Sequence, residues 1–253
     1  MIPLFFGTEQ RPLFGLYAPS GVRSRRRAVL LCPPWGQEYV RAHRSMHQLA
    51  RRLNAGGHPV FKFDYSGTGD SSGEMVDARL AHWRDDISEA IDELLDASGA
   101  AKVSVVGLRL GGALAADVAL RRAADIDSLV LWDPVWNGPA WLGEISAMRG
   151  AAGGLATSRS NLAGGGLAVL GFAIADAQIR ELQAVALQPV LARLRCRTLV
   201  ITSRAAEANE PGPLPDRVER IHVAADAAWL EDRNLGAGAL PTALLQRIEQ
   251  WLK

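Results

Sequence analysis

Short apolar runs alternate along the chain with longer segments whose apolar residues recur every three or four positions. The runs at residues 12–18, 28–33, 59–65, 102–108, 128–132, 197–202 and 218–223 have the length and composition of strands. Between them, helical spacing covers residues 40–53, 80–95, 111–123 and 241–252, the last opened by Pro241 at an early helical position. Strand and helix in repeated alternation predict an α/β fold, a mostly parallel sheet flanked by helices. The rhythm breaks at residues 136–187, where a Gly/Ala/Ser-rich stretch (150–166) is flanked by helical patterning. This predicts a cap inserted over one end of the sheet, within a single domain spanning 1–253.

Composition narrows the class. A chain of 253 residues that is 48% apolar is long enough for a full core. With 28 basic and 27 acidic residues the formal charge is +1, and the cluster from Arg23 to Arg27 falls between two expected strands as a solvated turn. Nucleic acid is therefore not an expected partner. Cys32 and Cys196 are too few for a disulfide framework or a thiolate metal site. Residues 1–7 carry no leader pattern, and no uninterrupted apolar stretch reaches membrane-spanning length, so the expectation is a soluble cytoplasmic protein without a membrane span. His43 and His47 share one face of the first helix, but no third ligand accompanies them; neither metal nor cofactor is expected.

The most informative segment runs from Val103 to Ala115, Val-Ser-Val-Val-Gly-Leu-Arg-Leu-Gly-Gly-Ala-Leu-Ala. An apolar strand passes directly into a small-residue helix, with Gly107 and Gly111 two positions either side of Arg109. Glycines at those places let strand and helix backbones pass closely around a strained turn. This segment resembles the nucleophile elbow of the α/β-hydrolase family, with Arg109 where the family's G-x-S-x-G has serine.

The resemblance extends over nearly the whole chain. Leu30 to Glu38, containing Pro33-Pro34-Trp35-Gly36-Gln37-Glu38, looks like the family's oxyanion loop, and Phe61 to Gly73 looks like its F-D-x-x-G-x-G-x-S turn. Together with Leu131-Trp132-Asp133-Pro134-Val135 and Gly171-Phe172, these motifs are similar to a bacterial subgroup of exosortase-associated hydrolases within the serine aminopeptidase-like set. The resemblance implies an α/β-hydrolase fold and a role beside extracellular polysaccharide or exosortase systems. It also implies an acid after the seventh strand, where only Glu207 is available, and a histidine before the last helix. Residues 224–232 contain none, and the nearest, His222, falls within an expected strand. Gly69-Asp70-Ser71-Ser72-Gly73 repeats G-x-S-x-G literally, but it does not join a strand to a helix, so Ser71 is read as part of a glycine turn.

Arginine keeps its proton and only donates hydrogen bonds, so acyl-enzyme chemistry at Arg109 is excluded. Two readings of it stand at this level. Arg109 holds an anionic ligand beside the amide of Leu110, at the start of a helix. Alternatively it is neutralised internally by Glu38, Asp133, Glu231 or Asp232. The ligand-binding candidates are Trp35, Gly36, Gln37, Arg109, Leu110 and Trp132, with Trp136 and Trp141 as further pocket aromatics. The expected function is a binding or accessory pseudo-hydrolase for a small-molecule or acyl ligand. The alternative is a hydrolase or acyltransferase acting on an ester or thioester with Glu38 or Asp133 as general base. A protein partner or a homodimer is compatible with both.

Overall fold

The computed structural model describes residues 1–21, 27–151, 165–169, 171–204, 212–225 and 240–253, with backbone alone for 148–151. Eight strands form one sheet: β1 (Ile2–Thr8), β2 (Arg11–Ala18), β3 (Arg27–Cys32), β4 (Val60–Phe63), β5 (Lys102–Leu108), β6 (Ile126–Trp132), β9 (Arg197–Thr202) and β10 (Val218–His222). They lie in the order β1-β2-β4-β3-β5-β6-β9-β10. The hairpin β1–β2 and the β2–β4 pair are antiparallel, and every other pairing is parallel. The inner strands carry apolar residues at consecutive positions because both faces are covered, as in Ala28 to Cys32 and Leu129 to Trp132.

One face buries α1 (Gln37–Ala55) and α7 (Thr242–Leu252) against Leu31, Val106, Val130 and Ile201. The other buries α2 (Leu80–Ser98) and α3 (Leu110–Arg121) against Leu30, Val105, Leu129 and Leu131. Both long helices show the expected stripe, with Ala42, Met46, Leu49 and Leu53 inward on α1 and Trp83, Ile87, Ile91 and Leu94 inward on α2.

Between β6 and β9 the chain leaves the sheet. It forms α4 (Gly138–Ala151), a hairpin of β7 (Gly166–Val169) and β8 (Phe172–Ala175), then α5 (Asp176–Gln183) and α6 (Leu187–Arg193). Strand β1 and the β7–β8 hairpin are elements that the periodicity did not indicate. β1 is a partly exposed edge strand, and each strand of the hairpin is only four residues long, so neither offers a long buried run.

The turn from β5 to α3 is where backbones approach most closely. A Cβ on Gly107 would lie 2.5 Å from the Cα of Gly112, and one on Gly111 would run into the carbonyl oxygen of Pro33. Gly111→Ala should therefore cost about 1–3 kcal/mol, read as a lower urea midpoint at unchanged slope. Gly143→Ala, on an open surface of α4, should instead gain about 0.5–1 kcal/mol.

Candidate functional site

Arg109 occupies the turn between β5 and α3. Its N–H continues the strand ladder to the Trp132 carbonyl at 3.0 Å, and its carbonyl accepts from Gly112 at 3.0 Å and Val135 at 3.3 Å. These bonds hold it at φ 54° and ψ −122°, a conformation side-chain-bearing residues rarely adopt. The residue is 5% exposed.

The guanidinium is spent within the protein in three directions. Nε donates to Glu38 Oε1 at 2.8 Å, Nη1 to the Asp133 carbonyl at 3.3 Å, and Nη2 to Glu144 Oε2. Glu38 comes from the first turn of α1, where a helix N-terminus favours an acid. Glu144 comes from α4, so the ion pairs bind the inserted segment to the elbow. The Trp141 indole N–H, also on α4, reaches both Glu38 oxygens at 3.3 Å. Burial pushes the Glu38 carboxyl above its ordinary range, against the opposing charge of Arg109. Burial also disfavours the arginine's charge, but Glu38 and then Glu144 outweigh it and raise the guanidinium further, so Arg109 is a fixed cation.

The Asp133 carboxylate points elsewhere. It accepts from the Ser203 amide and hydroxyl, both at 2.6 Å, and only its backbone carbonyl meets Arg109. Burial raises its pKa while the Ser203 bonds oppose the rise. Its φ of 41° makes it the second side-chain-bearing residue in the left-handed region among the described residues.

Other candidates separate into those the fold gathers and those it does not. Trp35 packs edge-on against Trp141, 6.1 Å between centroids, and against Phe172 at 6.0 Å. Its indole N–H is buried without a partner among the described residues. Gly36 turns the chain into α1 at φ 64°, Gln37 opens the helix half-buried, and Leu110 is buried at the start of α3. Trp132 corrects the expectation of a pocket residue: it is fully buried in the layer shared with Val130, Ile201 and Leu245, on the opposite side of the sheet from Trp35 and Trp141. Strand alternation decides this, because its neighbour Leu131 takes the other face.

Ser71 is a structural bridge: its hydroxyl donates to the Asp64 carbonyl at 2.6 Å and accepts from the Phe14 amide at 2.8 Å. His222 is exposed on β10, its Nδ1 3.4 Å from Thr202 Oγ1. Arg23, Arg25, Arg26, Glu207, Glu231 and Asp232 lie outside the described residues. No cluster of metal-ligating side chains occurs among the described residues, and none of their helices is long and apolar enough to cross a membrane. The partner that sequence reasoning missed is Glu144. Its signal was available, since it is the sole acidic residue between Asp133 and Asp176.

Residues 24–167 match the family described as serine aminopeptidase, S33. Over 74 residues, 29% of the chain, the sequence is 36% identical to the human palmitoyl-protein thioesterase ABHD10, mitochondrial; the match spans only 23% of that protein's length. Among solved structures, the chain is similar to Est1E from Butyrivibrio proteoclasticus with ferulic acid bound (TM-score 0.69, 13% identity, 98% of this chain and 97% of that one). It is likewise similar to mouse alpha/beta hydrolase domain-containing protein 10 (TM-score 0.61, 17% identity, 100% and 98%). At these identities the likeness establishes the α/β-hydrolase fold.

Glu38→Gln removes the more deeply buried counter-charge of Arg109 and should destabilise the protein by on the order of 3 kcal/mol in urea denaturation. Adding Arg109→Met to Glu38→Gln should recover part of that loss, a sub-additive pair that marks direct coupling.

Proposed function

The chain belongs to the serine aminopeptidase S33 family, and we propose that within it this protein is a non-catalytic pseudo-hydrolase, a cytoplasmic binding or accessory protein. The observation that carries the reading is the internal neutralisation of Arg109 by Glu38 and Glu144 at the turn that resembles the nucleophile elbow. A nucleophile needs a lone pair and a base within hydrogen-bond reach. The guanidinium supplies no lone pair, and every contact described for it is a donated bond to an acidic side chain or a carbonyl. No histidine lies between His222 and α7, where the resemblance would place the family's general base, which supports its absence. Ser71, bonded on both sides by backbone, gives no replacement.

In this reading the elbow serves as a tie between α1, α3 and α4, and ligands are taken elsewhere on the molecule. The resemblance to exosortase-associated hydrolases supports a role beside the bacterial machinery for extracellular polysaccharide or sorted proteins. A second reading, an ester or thioester hydrolase or acyltransferase with a carboxylate base, draws on the raised pKa values of Glu38 and Asp133. The non-catalytic reading is preferred because both carboxylates already accept hydrogen bonds from protein groups.

Hydrolysis of short- and medium-chain aryl esters and thioesters by wild type, Arg109→Ser, Arg109→Ala, Glu38→Gln and Ser71→Ala tests the proposal. All five are expected to match the buffer rate. Turnover by wild type overturns the pseudo-hydrolase reading; its loss in Glu38→Gln supports the carboxylate mechanism, and its loss only in Ser71→Ala makes the glycine turn the true elbow.

A further inference from the structure

Away from Arg109, on the other side of the first turn of α1, lies a cavity of about 280 Å³ between α1, β2 and β4. Neighbouring residues divide the two sites: Glu38 turns to Arg109, while Tyr39 faces the cavity. Phe14, Leu16, Leu31 and Met46 make its walls largely apolar. The outer hairpin β1–β2 is less well covered on this side, with Phe14 and Leu16 half-buried and Phe5 66% exposed. Among the described residues, the exposed large hydrophobics are Met1, Ile2, Phe5 and Val40, all on or beside β1 or on the first turns of α1.

Tyr39, His43, Asp64 and Asp70 complete the lining, and one further polar residue stands out by its place in the sheet. Lys62 lies on β4, inside the sheet, and its direct cross-strand partners are Leu16 on β2 and Leu31 on β3. Alternation along β4 puts Val60 and Lys62 on the α1 face, where an aliphatic residue would satisfy the packing. The Lys62 ammonium is half-buried and makes no hydrogen bond or ion pair among the described residues. The nearest acid with a felt charge, Asp64, is engaged by the Tyr39 hydroxyl at 2.7 Å and the Asp70 amide at 3.2 Å. His43, at the cavity, and His47, one turn further along α1, both sense the Lys62 charge, which adds to burial in holding their pKa values down. A half-buried cation in a largely apolar wall is partly desolvated, and such groups cluster at ligand sites.

We propose that this cavity binds an amphiphilic carboxylate, a medium-chain alkanoate in size and shape, with its hydrocarbon along Phe14, Leu16, Leu31 and Met46 and its carboxylate on the Lys62 ammonium. The cavity volume falls at the small end of ligand pockets, which suits a short hydrocarbon tail. A charge-assisted bond to Lys62 supplies the selection for an acid over an alcohol. The site does not depend on the chemistry of Arg109.

Isothermal titration calorimetry with octanoate, 1-octanol and octylammonium, on wild type, Lys62→Met and Lys62→Arg, tests the assignment. Octanoate should bind wild type at least tenfold more tightly than octanol, lose that advantage in Lys62→Met, and regain part of it in Lys62→Arg. Octanoate should raise the thermal midpoint of wild type but not of Lys62→Met. Lys62→Met should itself melt no lower than wild type without ligand, because it replaces a desolvated charge by an apolar side chain between two leucines. Equal affinity for octanoate and octanol, preference for octylammonium, no binding of octanoate to wild type, or unchanged octanoate affinity in Lys62→Met each overturns the proposal.

Discussion

A guanidinium buried at the end of a central strand imposes a requirement that the surrounding chain must meet. It cannot shed its proton, and a lone charge in that position would cost several kcal/mol. Glu38 meets the requirement from α1, Glu144 from α4, and the Asp133 carbonyl from the loop after β6. Trp141 then donates to Glu38 from the same helix as Glu144, so α4 is attached to the elbow through both a charge and a hydrogen bond. The contacts that α4 makes with the elbow therefore centre on Arg109 and its counter-ion Glu38.

The inner strands and the helices of the core were legible because their signal is local; the order of the strands in the sheet was not read. Consecutive apolar residues give the inner strands, a 3.6-residue stripe gives the helices, and Gly107 and Gly111 mark the close crossing before α3. The edge strand β1 was not legible, because an edge strand with one face half-exposed carries no continuous apolar run. The same applies to the short β7–β8 hairpin, whose strands are stabilised by packing against other parts of the insertion.

The candidate site was legible in its centre and less so in its contacts. Arg109 and Glu38 were named together, because each sits in a motif that fixes its place at the strand ends. Asp133 was named for its carboxylate, but its left-handed backbone turns that group to Ser203 and presents the carbonyl instead. Glu144 required tertiary information, since the path of α4 relative to β5 is not written in either segment. Trp132 shows the limit of reading an aromatic at a strand end as a pocket residue: a shift of one position along a strand exchanges the two faces of the sheet.

Arg109, after β5, and Lys62, on β4, pose the same electrostatic problem on either side of β3 and answer it differently. Arg109 is surrounded by two carboxylates, so an anion arriving there must displace Glu38 or Glu144 and leave a buried acid without its counter-ion. Lys62 has leucines on either side and no ion pair among the described residues, so an anion arriving there breaks no existing pair, although Asp64 and Asp70 share the cavity. Desolvation is the dominant influence on both cations, but only at Lys62 is its effect left largely uncompensated by neighbouring acids. Anion affinity is therefore expected where the protein has left a charge without a partner, and the elbow, although it carries the more conspicuous residue, is the place where that affinity has already been satisfied.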